Sequence, residues 1–287
     1  MQSSSLGCRL PFELLREITG HNGDDVAALG ALSLVSHTMR SMAIEELFSV
    51  AHFACAEDFA RWLDMLSRTP RLVNVVKKVR LSNPGLAWLR RRRGMETGTN
   101  LAQSVVPPLI PPMPNVRVVE WQDGYMQALN PEMAVAHMAV FPNMQRLQFE
   151  HTLFSNMAAL TRVLAACGSL KALAFLDTTT QSEPESDSSD SNIAHGPHLT
   201  ELEELGASST FNGGEDFLVN LVERFPPTHL RSLSFQNFRQ SYQSPCSVAA
   251  MEKLLRLAAP SLVNLVIEPN FRELHRKHFW DPFDFPG

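Results

Sequence analysis

A short strand-like frame recurs along most of the chain and constrains its fold more than any other feature of the 287-residue sequence. In full form, each copy has a small or proline residue, a polar residue, and then apolar residues at the first, fourth and sixth of six positions. The first apolar positions are 26 to 32 residues apart, and stretches with helical periodicity lie between the copies. The copies begin at Pro114, Pro142, Gly168, Pro197, Thr228 and Pro260, and a weaker copy precedes them at Val76–Leu81.

A strand followed by a helix, repeated about every 30 residues, resembles a leucine-rich-repeat solenoid. The fold class implied is α/β: a curved solenoid with parallel strands inside and helices outside. The copies lack the asparagine ladder of the strict repeat consensus, so the resemblance rests on their arrangement. The alternative is a doubly wound parallel sheet, but no glycine-rich phosphate turn follows a strand frame to support it.

Side chains alternate along a strand, so three positions of each copy are expected on the concave face of such a solenoid. The fourth copy leaves two registers open. One buries Glu204, and a shift of three residues buries Leu202, Leu205 and Ala207 instead. The face is polar and mildly acidic with a small apolar patch at 172–176, and it either binds a target protein or is merely solvated. The residues predicted to contact a target are Glu120, Gln122, Arg146, Gln148, Glu150, Ala172, Ala174, Glu203, Ser234 and Gln236.

The segment 10–48 is a compact run of three predicted helices with almost no chemically reactive residues. An apolar stripe in its first part ends at the turn Thr19–Gly23, where Gly and Asn break the pattern. Asp24 or Asp25 can cap the second helix. A third helix is predicted from about Ser36. Such a small core needs a neighbour to be stable, so an ordinary helical cap on a larger domain is one interpretation.

The same segment resembles an F-box, the docking module for the Skp-family adaptor of cullin-RING ubiquitin ligases. The resemblance rests on Leu10-Pro11-x-Glu13-Leu14-Leu15-x-x-Ile18 and on Leu32-Ser33-Leu34-Val35. Ser36 and Met39 stand where the family usually has Cys and Trp. The resemblance implies an adaptor-binding set of Leu10, Pro11, Leu14, Leu15, Ile18, Leu32, Val35 and Leu47, some of which must also hold the core of the module.

Composition limits the partners and the compartment. A net charge of −5 gives no general attraction to nucleic acid or to an anionic membrane. The four cysteines are scattered, which argues against a disulfide framework or a zinc site and fits a reducing compartment. The start of the chain has no apolar run long enough for a signal peptide, so a cytoplasmic or nuclear location, or both, is expected.

No catalytic motif stands out in the sequence. The G-x-S-x-G, P-loop and H-E-x-x-H patterns do not occur, and the ten histidines are spread along the chain. We therefore expect no enzyme activity, no metal site and no cofactor.

The predicted organisation has four parts. A disordered stretch (1–9) precedes the F-box-like module (10–52), the repeats (53–270) and an aromatic tail (271–287). The repeats contain insertions at 83–113 and at 177–196, and the second is acidic, rich in serine and expected to be flexible. The tail is interpreted as a cap, a truncated repeat or a linear recognition peptide.

An F-box-like module before degenerate repeats resembles the large fungal-type group of F-box/leucine-rich-repeat proteins. This resemblance implies a non-catalytic substrate receptor of an SCF-type ubiquitin ligase that holds a target protein on its repeat face. Two alternatives remain: a repeat protein that binds partners without the adaptor, and a hydrolase or transferase whose site is too degenerate to recognise.

Overall fold

The computed structural model describes residues 10–23, 25–54, 56–82, 111–122, 129–176, 178–180, 201–208, 221, 229–238 and 246–269. The predicted disordered start, most of both insertions and the aromatic tail lie outside these residues.

Within the described residues, seven α-helices and ten strands form. The helices are α1 (Phe12–His21), α2 (Val26–Leu32), α3 (His37–Leu47), α4 (Ala56–Arg68), α5 (Pro131–Met138), α6 (Met157–Ala165) and α7 (Cys246–Ala258), and a 3₁₀ turn spans Pro70–Asn74. The strands are β1 (Val50–Phe53), β2 (Lys78–Ser82), β3 (Val118–Gln122), β4 (Arg146–Glu150), β5 (Leu153–Phe154), β6 (Ala172–Leu176), β7 (Thr179–Thr180), β8 (Glu204–Ser208), β9 (Ser232–Phe238) and β10 (Asn264–Pro269).

Eight of these strands form one parallel sheet in the order β1-β2-β3-β4-β6-β8-β9-β10, and β5 pairs with β7. Each main strand therefore lies beside the next one along the chain. Equivalent positions of the frame share a row, since Val79 pairs with Val119, and Val119 pairs with Leu147. The prediction of an α/β fold with parallel strands is confirmed. A doubly wound sheet would reverse its strand order at a switch point, and this sheet does not reverse.

The hydrophobic core lies between one face of the sheet and helices α4 to α7. Leu147 and Phe149 of β4, with Leu173 and Phe175 of β6, are fully buried. The rings of Phe149 and Phe175 stack with centroids 5.8 Å apart. Full burial of one such side chain stabilises the fold by about 1.5–3 kcal/mol. The helices contribute Phe59, Trp62 and Leu66 from α4, Ala134 and Met138 from α5, Leu160, Val163 and Leu164 from α6, and Leu254 and Ala258 from α7.

The opposite side of the sheet is called the polar face below. Its three rows follow from the strand register and the alternation of side chains. The rows are Val50, Lys78, Val118, Arg146, Ala172, Glu204, Ser232 and Asn264; His52, Arg80, Glu120, Gln148, Ala174, Gly206, Ser234 and Val266; and Ser82, Gln122, Glu150 and Leu176.

In four of the six full copies, the polar residue of the frame ties a repeat to the one before it. Asn115 Nδ2 donates to the carbonyl of Asn74 at 2.6 Å, and Asn143 Nδ2 donates to the carbonyl of Pro114 at 2.9 Å. In later copies, serine hydroxyls donate instead: Ser169 Oγ to the carbonyl of Met144 at 3.1 Å, and Ser261 Oγ to that of Leu230 at 2.8 Å. The polar position therefore supplies donors to backbone carbonyls that leave the strand ladder.

A second contact repeats in the backbone. The N–H groups of Lys77 and Lys78 both donate to the carbonyl of Ser49, at 2.8 and 3.0 Å. The N–H groups of Arg117 and Val118 share the carbonyl of Lys77 in the same way. These contacts fix the row of residues that directly precede the strands, called the leading edge below. Its members are Ser49, Lys77, Arg117, Gln145, Lys171, Glu203, Arg231 and Val263.

Strand β8 follows the second of its two predicted registers. Glu204 pairs with Ala172, so Leu205 and Ala207 point into the core and are 1% and 4% exposed. Glu203, predicted on the concave face, precedes the strand and lies on the leading edge, which corrects its predicted placement. The reason is that burying an unpaired carboxylate costs several kcal/mol, whereas burying Leu205 is favourable.

The sheet also begins earlier than the frames predict. Strand β1 pairs with β2, and Val50 is the partner of Lys78. Its last residue, Phe53, stacks on Phe59 of α4 with centroids 4.3 Å apart. The predicted helical module (10–52) therefore includes the first part of the sheet.

Helices α1 to α3 precede the sheet, and α1 and α2 both contact α3. The Asp25 carboxylate accepts from the Ala28 N–H at 2.9 Å and caps α2. The Ser36 hydroxyl accepts from the Met39 N–H at 3.1 Å and caps α3. Each cap satisfies a donor that the first helical turn leaves open, which stabilises the helix by about 1 kcal/mol.

Candidate functional site

Most of the predicted adaptor-binding residues lie at the surface of α1 and of the turn after α2. Leu10 and Pro11 are exposed, and Leu14 and Ile18 continue an exposed stripe along α1. Val35, after α2, is 70% exposed. The remaining three residues of the set are half-buried: Leu15, Leu32 and Leu47.

Helices α1 to α3 form a small hydrophobic core, and the exposed side chains are not part of it. Thr19 is buried, and its hydroxyl donates to the carbonyl of Leu15 at 2.8 Å. The exposed stripe of α1 is therefore not needed to fill this core. The core side chains are Leu29, Met39, Met42 and Ala43.

The apolar surface is larger than the sequence indicates. Phe12, Val26, Leu34 and Ile44 are also exposed, and Leu34 reaches 78%. Eight of the thirteen large apolar side chains that are exposed in the described residues fall within 10–44. Helical periodicity could not mark them as surface residues, because an apolar stripe usually indicates a core-facing side.

Ser36 and Met39, at the positions of the family's Cys and Trp, both have structural roles. Ser36 caps α3, and Met39 is 5% exposed within the helical core. Neither supplies an aromatic anchor at the surface. Most of the exposed apolar side chains of the segment lie on α1 and in the turn 33–36 instead.

On the polar face, one buried carboxylate holds two cations. Glu120 accepts from Lys78 Nζ at 2.6 Å through Oε1, and from Nε and Nη2 of Arg80 at 2.8 Å through Oε2. Burial raises the pKa of Glu120, but the hydrogen bonds and charges of Lys78 and Arg80 outweigh it and hold the pKa below its ordinary value. The carboxylate is therefore ionised near neutral pH.

A second polar group runs along the ends of four strands. His52 Nε2 lies 2.7 Å from Ser82 Oγ, which lies 3.4 Å from Gln122 Oε1. Gln122 donates to Glu150, whose other oxygen is 3.6 Å from His151 Nε2. The His52–Ser82 distance would suit a base and a nucleophile. The five side chains form a line between neighbouring strands, however, rather than converging on one point as a catalytic group does.

The other predicted target-binding residues differ in exposure. Ala172 and Ala174 expose 1% and 0% of their surface, and Gln148 exposes 7%, so these three offer little contact area. Oε1 of Gln148 and Oε2 of Glu204 are buried and have no hydrogen-bond partner among the residues that the structure describes. Burial raises the pKa of Glu204, as does Glu203, whereas Arg146 lowers it, and the net shift is upward. Half-buried members of the predicted set are Gln122, Arg146, Glu150, Glu203 and Ser234, and the side chain of Gln236 lies outside the described part.

Two titratable groups lie on the helix side of the sheet. His137 of α5 packs between Phe59 and Trp121, with ring centroids 5.5 and 5.7 Å away, and burial lowers its pKa to about 4. Burial raises the pKa of Cys167 to about 12, and its Sγ contacts the carbonyl of Val163 at 3.3 Å. A neutral imidazole and a protonated thiol in the core are packing groups rather than catalytic ones.

Across the part of the chain that the structure describes, no group of three or more His, Cys, Asp or Glu side chains could hold a metal ion. None of the described helices is both long and apolar enough to cross a membrane. No protein-family model and no curated protein matches the chain.

Proposed function

We propose that the chain is a non-catalytic substrate receptor of an SCF-type cullin-RING ubiquitin ligase, acting in the cytoplasm, the nucleus or both. In this proposal, the segment 10–48 is an F-box that docks the Skp-family adaptor. The sheet with its helices is a leucine-rich-repeat solenoid that holds a target protein. The ligase then acts by bringing the target close to the ubiquitin donor.

The observation that carries the proposal is the concentration of exposed apolar side chains on the helical segment. Leu14 and Ile18 lie four residues apart on one side of α1, Phe12 begins this helix and Leu10 lies two residues before it, and Leu34 and Val35 protrude from the turn after α2. An exposed apolar patch of this kind marks a protein–protein contact. Burying one Leu side chain in a partner stabilises the complex by about 1.5–3 kcal/mol.

The sheet supports the second half of the proposal. Its strands follow one another in chain order, and the same side-chain and backbone contacts recur from repeat to repeat. Stacked repeats of this type give an extended binding surface. The half-buried polar residues Gln122, Arg146, Glu150 and Ser234 of the polar face, and Glu203 on the leading edge, are the described members of the predicted set that a target can reach.

Capture of the purified Skp-family adaptor by the full-length chain tests the proposal. Leu34→Asp/Val35→Asp places two charges in the exposed turn, where the side chains are 78% and 70% exposed, so the fold is retained. We expect wild-type protein to bind the adaptor and this variant to lose binding by about tenfold or more. Leu10→Ala/Pro11→Ala is expected to weaken capture as well.

Val263→Asp is the matched control. Val263 is 83% exposed, but it lies on the leading edge beside β10, at the other end of the chain. This variant should capture the adaptor as well as wild type does. Wild-type protein that captures no adaptor would refute docking and leave the alternative, a repeat protein that binds partners without the ligase.

A further inference from the structure

The sheet has a strongly uneven distribution of charge. Strands β2, β3, β4 and β6, with their leading-edge residues, carry six Lys or Arg and two Glu, a net charge of +4. Strands β8 to β10, with theirs, carry one Arg and three Glu, a net charge of −2. The chain as a whole has a net charge of −5. The half of the sheet nearer the helical segment is therefore a basic region in an acidic protein.

Within this region, the carboxylate of Glu120 holds a pair of cations, Lys78 and Arg80. One carboxylate cannot neutralise both Lys78 and Arg80, so one positive charge remains. Their side chains are 28% and 32% exposed. Arg80 uses Nε and Nη2 on Glu120, and among the residues that the structure describes its Nη1 has no hydrogen-bond acceptor. Because Glu120 already fixes the guanidinium, an incoming carboxylate meets preorganised donors and little side-chain entropy is lost.

Three more cations lie beside this pair on the leading edge. Lys77, Arg117 and Lys171 are all exposed. Arg117 Nη1 donates to the carbonyl of Asn143 at 2.9 Å, and Lys171 Nζ lies 3.6 Å from Glu203. Neighbouring strands are about 4.8 Å apart, so Lys77 and Lys171 are separated by three strand spacings, or roughly 14 Å. An extended peptide of about five residues spans that distance.

We infer that this basic edge, defined by Lys77, Lys78, Arg80, Arg117 and Lys171, binds an acidic stretch of the target protein. Carboxylates on alternate residues of an extended peptide are roughly 7 Å apart, which the long Lys and Arg side chains can follow. That the acidic partner is a ligase target rests on the proposed function. The charge preference itself rests on the five side chains alone.

The surface chemistry favours a peptide over a nucleic acid. Proteins that bind single-stranded nucleic acid combine a basic groove with aromatic side chains on which bases stack. Among the exposed large apolar side chains of the described residues, Phe12 is the single aromatic one, and it lies on α1. The basic edge has no such platform in the described part of the chain.

Fluorescence anisotropy with the full-length chain and a labelled peptide of alternating Glu and Ser, about eight residues long, tests the inference at about 50 mM salt, where exposed charges are weakly screened. The test variant is Lys77→Gln/Arg117→Gln, in which both side chains are exposed and the backbone contacts of both residues remain. We expect its affinity to fall about three- to tenfold. Arg231→Gln is the control, because Arg231 has the same leading-edge position in the acidic half, and we expect less than about twofold change.

Three results would overturn the inference: equal binding by wild type and the double variant, equal binding of a Gln-Ser peptide of the same length, or tighter binding of a thymidine oligonucleotide of matched charge. The adaptor is absent from this assay. If the chain binds the acidic peptide but captures no adaptor, the inference stands and the proposed function is refuted. If the chain captures the adaptor but does not bind the peptide, the proposed function stands and the inference is refuted.

Discussion

The hydroxyl of Thr178 donates to the carbonyl of Phe149, 3.2 Å away in a neighbouring strand. Thr152 holds the equivalent place one strand earlier, where its hydroxyl lies 3.5 Å from the carbonyl of Trp121. Both threonines are completely buried. Two steps of a threonine ladder thus lie just beyond the ends of the strands in a chain that lacks the asparagine ladder of the repeat consensus.

Thr178→Val tests the ladder. Valine keeps the shape of threonine but removes the hydroxyl, so the Phe149 carbonyl loses a donor in a buried environment. We expect the free energy of unfolding to fall by about 1–3 kcal/mol in urea denaturation. Thr69→Val, at an exposed threonine, is the control and should change it by less than about 0.5 kcal/mol. Equal stability of Thr178→Val and wild type would show that the ladder is not stabilising.

Glu120→Gln leaves Lys78 and Arg80 side by side without an anion. We expect the free energy of unfolding to fall by about 1–3 kcal/mol at pH 7, since the charged acceptor of these hydrogen bonds is removed from a buried position. The pKa of Glu120 is lower in the folded than in the unfolded chain, where it has its ordinary value of 4.5. The ionised carboxylate therefore contributes fully to stability above pH 4.5, and this contribution is lost as the pH falls through the folded pKa.

Urea denaturation at neutral and at acid pH measures this difference. The difference in the free energy of unfolding between wild type and Glu120→Gln should be large at pH 7 and should decrease on acidification below the ordinary pKa of 4.5. A difference that stays constant over that range would contradict the ionised state of Glu120.

The frames predicted most of the sheet because each carries the apolar pattern of a buried strand. In four copies the polar residue also bonds to a backbone carbonyl of the preceding repeat. Strands β2, β3, β4, β6, β9 and β10 all fall on frames. In the fourth copy, Leu199 and Leu202 both fit the start of the pattern, and only burial of Leu205 and Ala207 decides between the registers. Strand β1 has no proline-polar start, so nothing in the sequence separated it from the helices before it.

The candidate sites were less predictable, because they depend on which side of an element faces solvent and on contacts between distant residues. The pattern of α1 fits a core stripe as well as a surface stripe, so the exposure of Phe12 could not be derived from it. Arg80 and Glu120 are 40 residues apart, and only the strand register brings them together. The basic edge likewise becomes a row only when Lys77, Arg117 and Lys171 are aligned by the sheet.

Cys167 should resist alkylation in the folded protein. Burial raises the pKa of its thiol to about 12, so almost no reactive thiolate is present at pH 8. Peptide mapping by mass spectrometry after iodoacetamide treatment should find Cys167 unmodified in native protein and modified in guanidinium. Rapid labelling of the native protein at Cys167 would contradict its burial.

His137 should make the fold sensitive to mild acid. Burial lowers its pKa from 6.5 to about 4 in the folded protein, while the unfolded chain binds the proton at its ordinary pKa. The contribution of the neutral imidazole is therefore complete above about pH 6.5 and is lost as pH falls towards 4, by roughly 1.4 kcal/mol per pH unit within that window. Carboxylates also titrate near the lower limit of this pH window, so the pH dependence of stability is compared between wild type and variants.

His137→Leu removes the titrating group from its place between Phe59 and Trp121 with a side chain of similar volume. Urea denaturation between about pH 4.5 and pH 6.5, within the window set by the two pKa values, should show a shallower dependence of stability on pH in this variant than in wild type. His37→Gln, at an exposed histidine, should keep the wild-type slope. If His137→Leu keeps that slope as well, folding does not lower the pKa of His137, which would contradict the burial of its imidazole between the two aromatic rings.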